Sequence, residues 1–179
     1  MKYTREGKEV TYIHYGSPAF DDERFTPAIQ EGCWVKPKGG LWASPVDAEH
    51  GWKDWCEGES FRECNEDNSF KFTVRDPKRI FYIDSEEAFD DWYSRYVTER
   101  SGGLKWSFTK GFNCGLDQIE VEKMKADGWD GLEISLTDHW PLYEYLYGWD
   151  CDSIVIFNRF KKGRFDDHID KIAFEKGEL

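Results

Sequence analysis

The chain has 179 residues, of which 36 are Asp or Glu and 24 are Lys or Arg, so its formal net charge is -12. A chain of this length can build one proper core, whereas two independent domains would each be marginal; we expect one domain over residues 1–179. The negative charge disfavours binding to bare duplex nucleic acid or to an anionic membrane surface.

The sequence carries no signal for a membrane span or for a disulfide framework. No apolar run approaches the roughly 20 residues that a span needs, and residues 1–10 are charged, so we expect a soluble, cytoplasmic protein. The five cysteines have an odd count and irregular spacing, which favours reduced thiols and predicts no metal site. They are Cys33, Cys56, Cys64, Cys114 and Cys151.

The first part of the chain predicts a strand, a long loop and a strand that leads into a helix. Residues 9–15 are rich in β formers and end at a Gly-Ser-Pro turn, which is typical of a short strand. Residues 18–40 are mostly loop, and residues 41–43 favour a brief second strand. Ser44 followed by Pro is typical of a helix start with Ser44 as N-cap, and this helix would run to about Glu57.

Two strands and a helix are predicted in the middle of the chain. Residues 70–74 alternate apolar and polar side chains, and residues 80–83 form another short strand after an Asp-Pro turn. Asp84 and Glu87 form a capping box in front of apolar residues at helical spacing. We expect this helix to continue to the Gly-Gly pair at 102–103.

A third helix is predicted to feed directly into a strand. Asp117 and Glu120 are typical of a capping box, and Gly128 is typical of a helix end. Residues 132–137 alternate, which predicts one core face and one polar face. Residues 153–158 are almost continuously apolar, as in a buried central strand.

Together the elements predict an α+β fold of short strands, in mixed or antiparallel sheets, with about three helices. The charged tail from Arg159 is expected at the surface. Trp52, Trp55 and Cys56 lie close together on the first predicted helix, which favours a position in the core.

Several short motifs follow one another in an order that matches a known pattern. They resemble the ADP-ribosyltransferase superfamily, and within it small phage or prophage proteins. The resemblance implies an ADP-ribosyltransferase-like fold in which NAD is a substrate. The segments that carry it are His14-Tyr15-Gly16-Ser17, Gly40-Leu41-Trp42-Ala43-Ser44, Lys125-Ala126-Asp127-Gly128-Trp129-Asp130-Gly131-Leu132 and Asp152-Ser153-Ile154-Val155-Ile156-Phe157-Asn158.

The resemblance also implies roles for individual residues. His14 would hydrogen-bond the adenosine ribose, with Tyr15 and Gly16 beside it, and Ser44 would bind the carboxamide or the adjoining ribose. An aromatic face should clamp the nicotinamide ring. The sequence does not choose among the candidates for this face, which are Trp42, Trp52, Tyr82 and Tyr93.

The catalytic acid has two candidates. A carboxylate near the ribose can stabilise the oxocarbenium-like transition state and can deprotonate the acceptor. Asp152 lies one residue before the place where the family carries its acid, and a one-residue offset turns a strand side chain to the other face unless a bulge intervenes. Glu133, on the polar side of the preceding strand, is the alternative.

We therefore expect a mono-ADP-ribosyltransferase that cleaves the nicotinamide–ribose bond and transfers ADP-ribose to an unidentified acceptor. If the chain is encoded by a phage, the expected location is the host cytoplasm, and a host protein is one option for the acceptor. An acidic chain would bind anionic NAD through a local basic patch, for which Arg24, Lys36 and Lys38 are the candidates. Two alternatives stay open. One is a non-catalytic acidic interaction protein that inhibits a host factor, and the other is a degenerate transferase fold that only binds a nucleotide.

Overall fold

The structure is a computed structural model, and it describes residues 3–5, 9–31, 35–74, 77–98, 118–137, 139–143 and 145–158. Within these ranges the elements follow one another in a mixed α and β order. They are β1 (Val10–Tyr15), β2 (Leu41–Pro45), α1 (Trp52–Gly58), β3 (Ser69–Val74), β4 (Ile80–Ile83), α2 (Glu86–Tyr96), β5 (Val97–Thr98), β6 (Gln118–Ile119), α3 (Val121–Ala126), β7 (Gly131–Ile134), α4 (Trp140–Tyr143) and β8 (Ser153–Ile156).

Six strands form one mixed sheet in the order β3-β1-β2-β8-β7-β4. Neighbouring strands are antiparallel except for β4 and β7, which run parallel and are connected through α2 and α3. β5 and β6 pair separately as a two-stranded ribbon. Over the described ranges, the prediction of an α+β fold with about three helices is confirmed, α4 being only a single additional turn, and β8 lies inside the sheet as expected.

A core lies on each face of the sheet. On the helical face, Phe89 and Trp92 of α2 and Met124 of α3 pack against apolar residues of β4, β7 and β8. On the opposite face, Tyr12 and Phe72 stack on each other with ring centroids 5.4 Å apart. Phe20 and Phe25 from the long loop pack onto this second core, so both faces of the sheet are covered.

The first helix starts later than the sequence predicts. Ser44 and Pro45 belong to β2 and pair with Ile13 and Tyr12 of β1, so the predicted helix start at Ser44 was wrong. Ser44 nevertheless caps the helix from outside, because its Oγ accepts a hydrogen bond of 2.9 Å from the backbone N of Trp52. The prediction relied on a local Ser-Pro pattern, but strand pairing determined the backbone.

The boundaries of α2 and α3 also differ from the predicted ones. α2 is capped by Ser85, whose Oγ accepts from the backbone N of Ala88, and not by Asp84. α2 ends at Tyr96 and α3 begins at Val121, because the residues beside them pair as β5 and β6. Gly128 does follow α3 with a φ of 95°. Asp117, the pair at 102–103 and the tail from Arg159 lie outside the described residues.

Trp52 and Trp55 do not belong to either core, so that expectation was wrong. Cys56 is the buried residue of α1, and the two indoles stay half-buried. Among the described residues no helix combines the length and the apolar character that crossing a bilayer requires.

Candidate functional site

An open cleft of about 220 Å³ lies at one end of the sheet, where β2 and β7 end and β8 begins. Its walls are polar on the β7 side, and they carry exposed carboxylates on the segment that follows β2. The lining residues are Arg5, Pro45, Asp47, Ala48, Glu49, Ile134, Ser135, Thr137 and Asp152. The cleft therefore contains one of the two predicted acids directly.

Asp152 is buried in the wall of this cleft and holds the turn that follows β7. Its Oδ1 accepts hydrogen bonds from the backbone N of Leu136 at 2.5 Å and of Thr137 at 3.2 Å. Its Oδ2 accepts from the Thr137 hydroxyl at 2.6 Å. Asp152 precedes β8, so the strand pleat does not determine its direction. These bonds orient the carboxylate and hold its charge at the cleft.

Glu133 lies on β7 and is only 1% exposed. We expected the side of β7 that carries Glu133 to be a polar face. This side is covered by the core that contains Tyr12 and Phe72, so the prediction was wrong at Glu133. Its Oε1 lies 2.6 Å from Nη2 of Arg5, and its Oε2 accepts from the Tyr12 hydroxyl at 2.8 Å. Burial raises the pKa of Glu133, and the charge of Asp152 adds to this, whereas Arg5 and the Tyr12 hydroxyl oppose it.

Arg5 links Glu133 to the cleft. It lines the cleft, pairs with Glu133 and places its guanidinium 4.6 Å from the centre of the Tyr82 ring. Tyr82 thus joins the acid centre, as its register opposite Glu133 requires. The charge of Asp152 contributes to the raised pKa of Glu133, so the two candidate acids are electrostatic neighbours, with Asp152 in the cleft wall and Glu133 behind Arg5.

His14 lies on the same face of the sheet, nearer the end of β1. Its Nδ1 is 2.7 Å from the carbonyl oxygen of Trp42. A carbonyl can only accept, so Nδ1 carries the proton and Nε2 keeps its lone pair. Burial lowers the pKa of His14, the hydrogen bond to Trp42 opposes this, and the nearby Arg62 cation lowers the pKa further. His14 is therefore a hydrogen-bond acceptor near neutral pH.

Of the other predicted ligands, Gly16 lies beside the His14 ring, whereas the side chains of Tyr15, Ser44 and Trp42 lie elsewhere. Gly16 has a φ of 125° and lies beside the His14 ring, and Tyr15 follows on the opposite face of β1. Ser44 is buried, with its hydroxyl engaged by the backbone of α1. The Trp42 ring packs on Trp149 at 4.8 Å on the helical face, away from Glu133.

The predicted basic patch consists of cations that already have acidic partners. Arg24 pairs with Asp21 at 3.3 Å, Lys36 with Asp150 at 3.4 Å, and Lys38 with Glu31 at 3.0 Å. Lys36 also lies over the Trp42 ring. Arg5 is the cation that the cleft itself contains, as far as the described residues show.

The cysteines behave as core residues where they are described. Cys56, Cys64 and Cys151 are buried free thiols, and burial raises the pKa of Cys151 to about 12. A thiol with this pKa is a poor nucleophile at neutral pH. Cys33 and Cys114 lie outside the described residues.

Sequence reasoning missed Arg5, Tyr12 and Thr137 as parts of the acid centre. Arg5 is distant in sequence from Glu133 and Asp152, and it lies in a charged segment that carries no motif. Tyr12 was interpreted only as a β former, and Thr137 only as one position of a polar face. The one available signal was the alternation of β1, which places Tyr12 and His14 on the same face of the strand.

Comparison with known proteins gives no match: no family model, curated protein or solved structure is significantly similar to the chain.

Proposed function

We propose that the protein is an NAD-dependent mono-ADP-ribosyltransferase whose acid centre is formed by Asp152 and Glu133. The observation that supports this most is a buried carboxylate, Asp152, in the wall of an open cleft, with a second buried carboxylate, Glu133, paired to the Arg5 side chain that lines the same cleft. Buried carboxylates carry a desolvation cost, and paired acids with different surroundings are common at sites of acid–base chemistry. Cleavage of the bond between nicotinamide and ribose needs such an anionic centre.

Asp152 is the group that would face the reacting ribose. Nicotinamide leaves with the electron pair of its bond to the anomeric carbon, and the positive charge that develops there is stabilised by a fixed carboxylate. The three hydrogen bonds from residues 136 and 137 hold Asp152 in one orientation, so little reorganisation is needed. The acceptor nucleophile then bonds to the same carbon and gives its proton to a base.

Arg5 and Glu133 would act as a pair beside this centre. Glu133 fixes the guanidinium of Arg5 at the cleft, where it can bind the anionic pyrophosphate of NAD. Burial also raises the pKa of Glu133, so this carboxyl holds a proton more readily than an exposed one and can exchange it if its contact with Arg5 opens during the reaction. Positioning of Arg5 is the role that its present geometry supports.

His14 and Gly16 are the proposed ribose contacts. The free Nε2 of His14 can accept a hydrogen bond from a ribose hydroxyl, and Gly16 lets a ligand approach the backbone without a side chain in the way. Ser44 would shape this end of the site, and its direct contact with the carboxamide remains a prediction, as does nicotinamide stacking on Tyr82.

The test is transfer of labelled ADP-ribose from NAD to macromolecules of a cell lysate. We expect Asp152→Asn to reduce labelling by about 100-fold while calorimetry still detects NAD binding. Asp47→Asn, an exposed acid of the same cleft, is the matched control and should stay within about threefold of the unchanged chain. Because Asp152 also holds a turn, urea unfolding of each variant must show that the fold is retained.

The absence of both labelling and NAD binding would falsify the proposal. NAD binding without turnover would instead indicate a degenerate transferase fold. A triple variant that combines His14→Ala, Glu133→Ala and Asp152→Ala provides a further test. If it still binds a protein partner as well as the unchanged chain does, the non-catalytic acidic interaction protein is favoured.

A further inference from the structure

Three aromatic rings form a surface on α1 and the segment after it. Trp52 and Trp55 are stacked, with ring centroids 5.0 Å apart and an angle of 15° between the planes. Phe61 packs edge-on against both, at 6.0 and 5.4 Å, and is itself 57% exposed. We call Trp52, Trp55 and Phe61 the aromatic surface. It lies outside both cores, although burial of such rings is normally favourable.

A cation already lies on this surface. The guanidinium carbon of Arg62 is 5.4 Å from the centre of the Trp52 ring and 5.2 Å from that of Phe61. Ring faces carry partial negative charge, so they attract Lys and Arg side chains at this distance. The contact within the chain shows what kind of group the rings accept.

The surroundings of the aromatic surface are strongly acidic. Residues 49–67 contain seven Asp and Glu against two Lys and Arg. All seven carboxylates are on exposed residues. The local potential is therefore negative, which repels nucleic acid and also disfavours a second copy of this acidic chain. A positively charged partner is attracted by both the rings and the carboxylates.

We infer that the aromatic surface docks a basic segment of another protein. A Lys or Arg side chain of the partner lies over the ring faces beside Arg62, and the surrounding carboxylates pair with further cations. This inference does not depend on transfer of ADP-ribose, because Arg62 and the three rings of the aromatic surface do not line the cleft.

The experiment measures binding of a short synthetic peptide that alternates Arg and Gly, by tryptophan fluorescence and calorimetry, with a Glu-Gly peptide as the charge-reversed probe. The Arg peptide should bind, and affinity should fall as salt is raised. Phe61→Ala and Glu59→Lys should each weaken binding by about tenfold. Tyr145→Ala is the matched aromatic control, because Tyr145 is 47% exposed on another part of the surface. Asp90→Lys, at an exposed position of α2, makes the same change of net charge as Glu59→Lys.

Both controls should stay within about twofold of the unchanged chain. An equal loss in Asp90→Lys would mean that overall charge alone binds the peptide, and would overturn the proposal. Absence of Arg-peptide binding, or preference for the Glu peptide, would overturn it too. So would self-association of the full chain that is lost in Phe61→Ala, because the occupant would then be a second copy. Labelling by NAD is measured separately, so failure of either proposal is recognised on its own.

Discussion

Glu133 and Arg5 are separated by 128 positions in the chain, yet their side chains meet at 2.6 Å. The carboxylate is 1% exposed and the guanidinium side chain 24%. The pair therefore connects residues 3–5 to β7 and holds the positive charge of Arg5 at the cleft. Its energetics can be tested without knowledge of the substrate.

Replacing Arg5 by Met should destabilise the fold by about 3 kcal/mol, because it leaves a buried carboxylate without its cation. The free energy of unfolding in urea measures this loss. Arg95→Met is the matched control, since Arg95 is an exposed cation in an i,i+4 pair with Asp91 and should change little. Combining Arg5→Met with Glu133→Gln should restore part of the stability. If the double variant is no better than the single one, the buried charge is not the cause.

Stability should also depend on pH through Glu133. Its folded pKa is raised mainly by burial, so above the ordinary value of 4.5 the folded chain keeps a proton that the unfolded chain releases. The free energy of unfolding contributed by Glu133 therefore falls as the pH rises from 4.5 to the folded pKa. Glu133→Gln cannot titrate, so the difference between the two chains in urea isolates this effect. A difference that increases over the same pH range would mean that Arg5 outweighs burial.

Ser44→Ala should lower stability by about 1 kcal/mol, because the backbone N of Trp52 loses its acceptor. Ser85→Ala is the matched control: Ser85 caps α2 in the ordinary way, through Ala88, and should cost a similar amount. Urea unfolding compares the two variants. Stability unchanged in Ser44→Ala alone would argue that the Ser44 hydroxyl serves a ligand and not the helix.

Gly40→Ala should cost about 2 kcal/mol or more. Gly40 has a φ of 75°, and an added Cβ would lie 2.6 Å from Cγ2 of Val155 and 2.7 Å from the carbonyl oxygen of Ile156. Gly58→Ala meets nothing within 4 Å and should be neutral or stabilising by about 0.5 kcal/mol. Thermal unfolding separates the two. Equal effects would show that loss of chain flexibility, and not the contact with β8, dominates at Gly40.

Much of the fold could be predicted from local pattern. The strands around residues 10–15, 70–74 and 80–83 were predicted from β formers and alternation, the strand at 153–156 from a continuous apolar run, and the second strand only over residues 41–43. Helix boundaries were less predictable. Ser44-Pro45 has the pattern of a helix start, but pairing with β1 satisfies more backbone hydrogen bonds than a local cap does.

The candidate site was only partly predictable. His14, Asp152 and Glu133 stand out in the sequence because of their type and position, and the structure brings the two acids together. Nothing local identified their partners. Tyr12 reaches Glu133 from another strand of the sheet, whereas Arg5 and Thr137 reach the acids from segments outside the strands.

The sequence by itself determined a mixed α and β chain, strongly acidic and rich in aromatic residues, because composition and hydrophobic periodicity are local properties. Only the tertiary structure decided where the aromatic residues and carboxylates lie. Glu133 is buried on the face of the sheet that carries Tyr12, where it pairs with Arg5 and is not solvated as a surface acid would be. In the described part of the chain, neither core includes Trp52, Trp55 or Phe61, and these rings lie at an acidic surface. Both outcomes depend on long-range packing, which a sequence window does not contain.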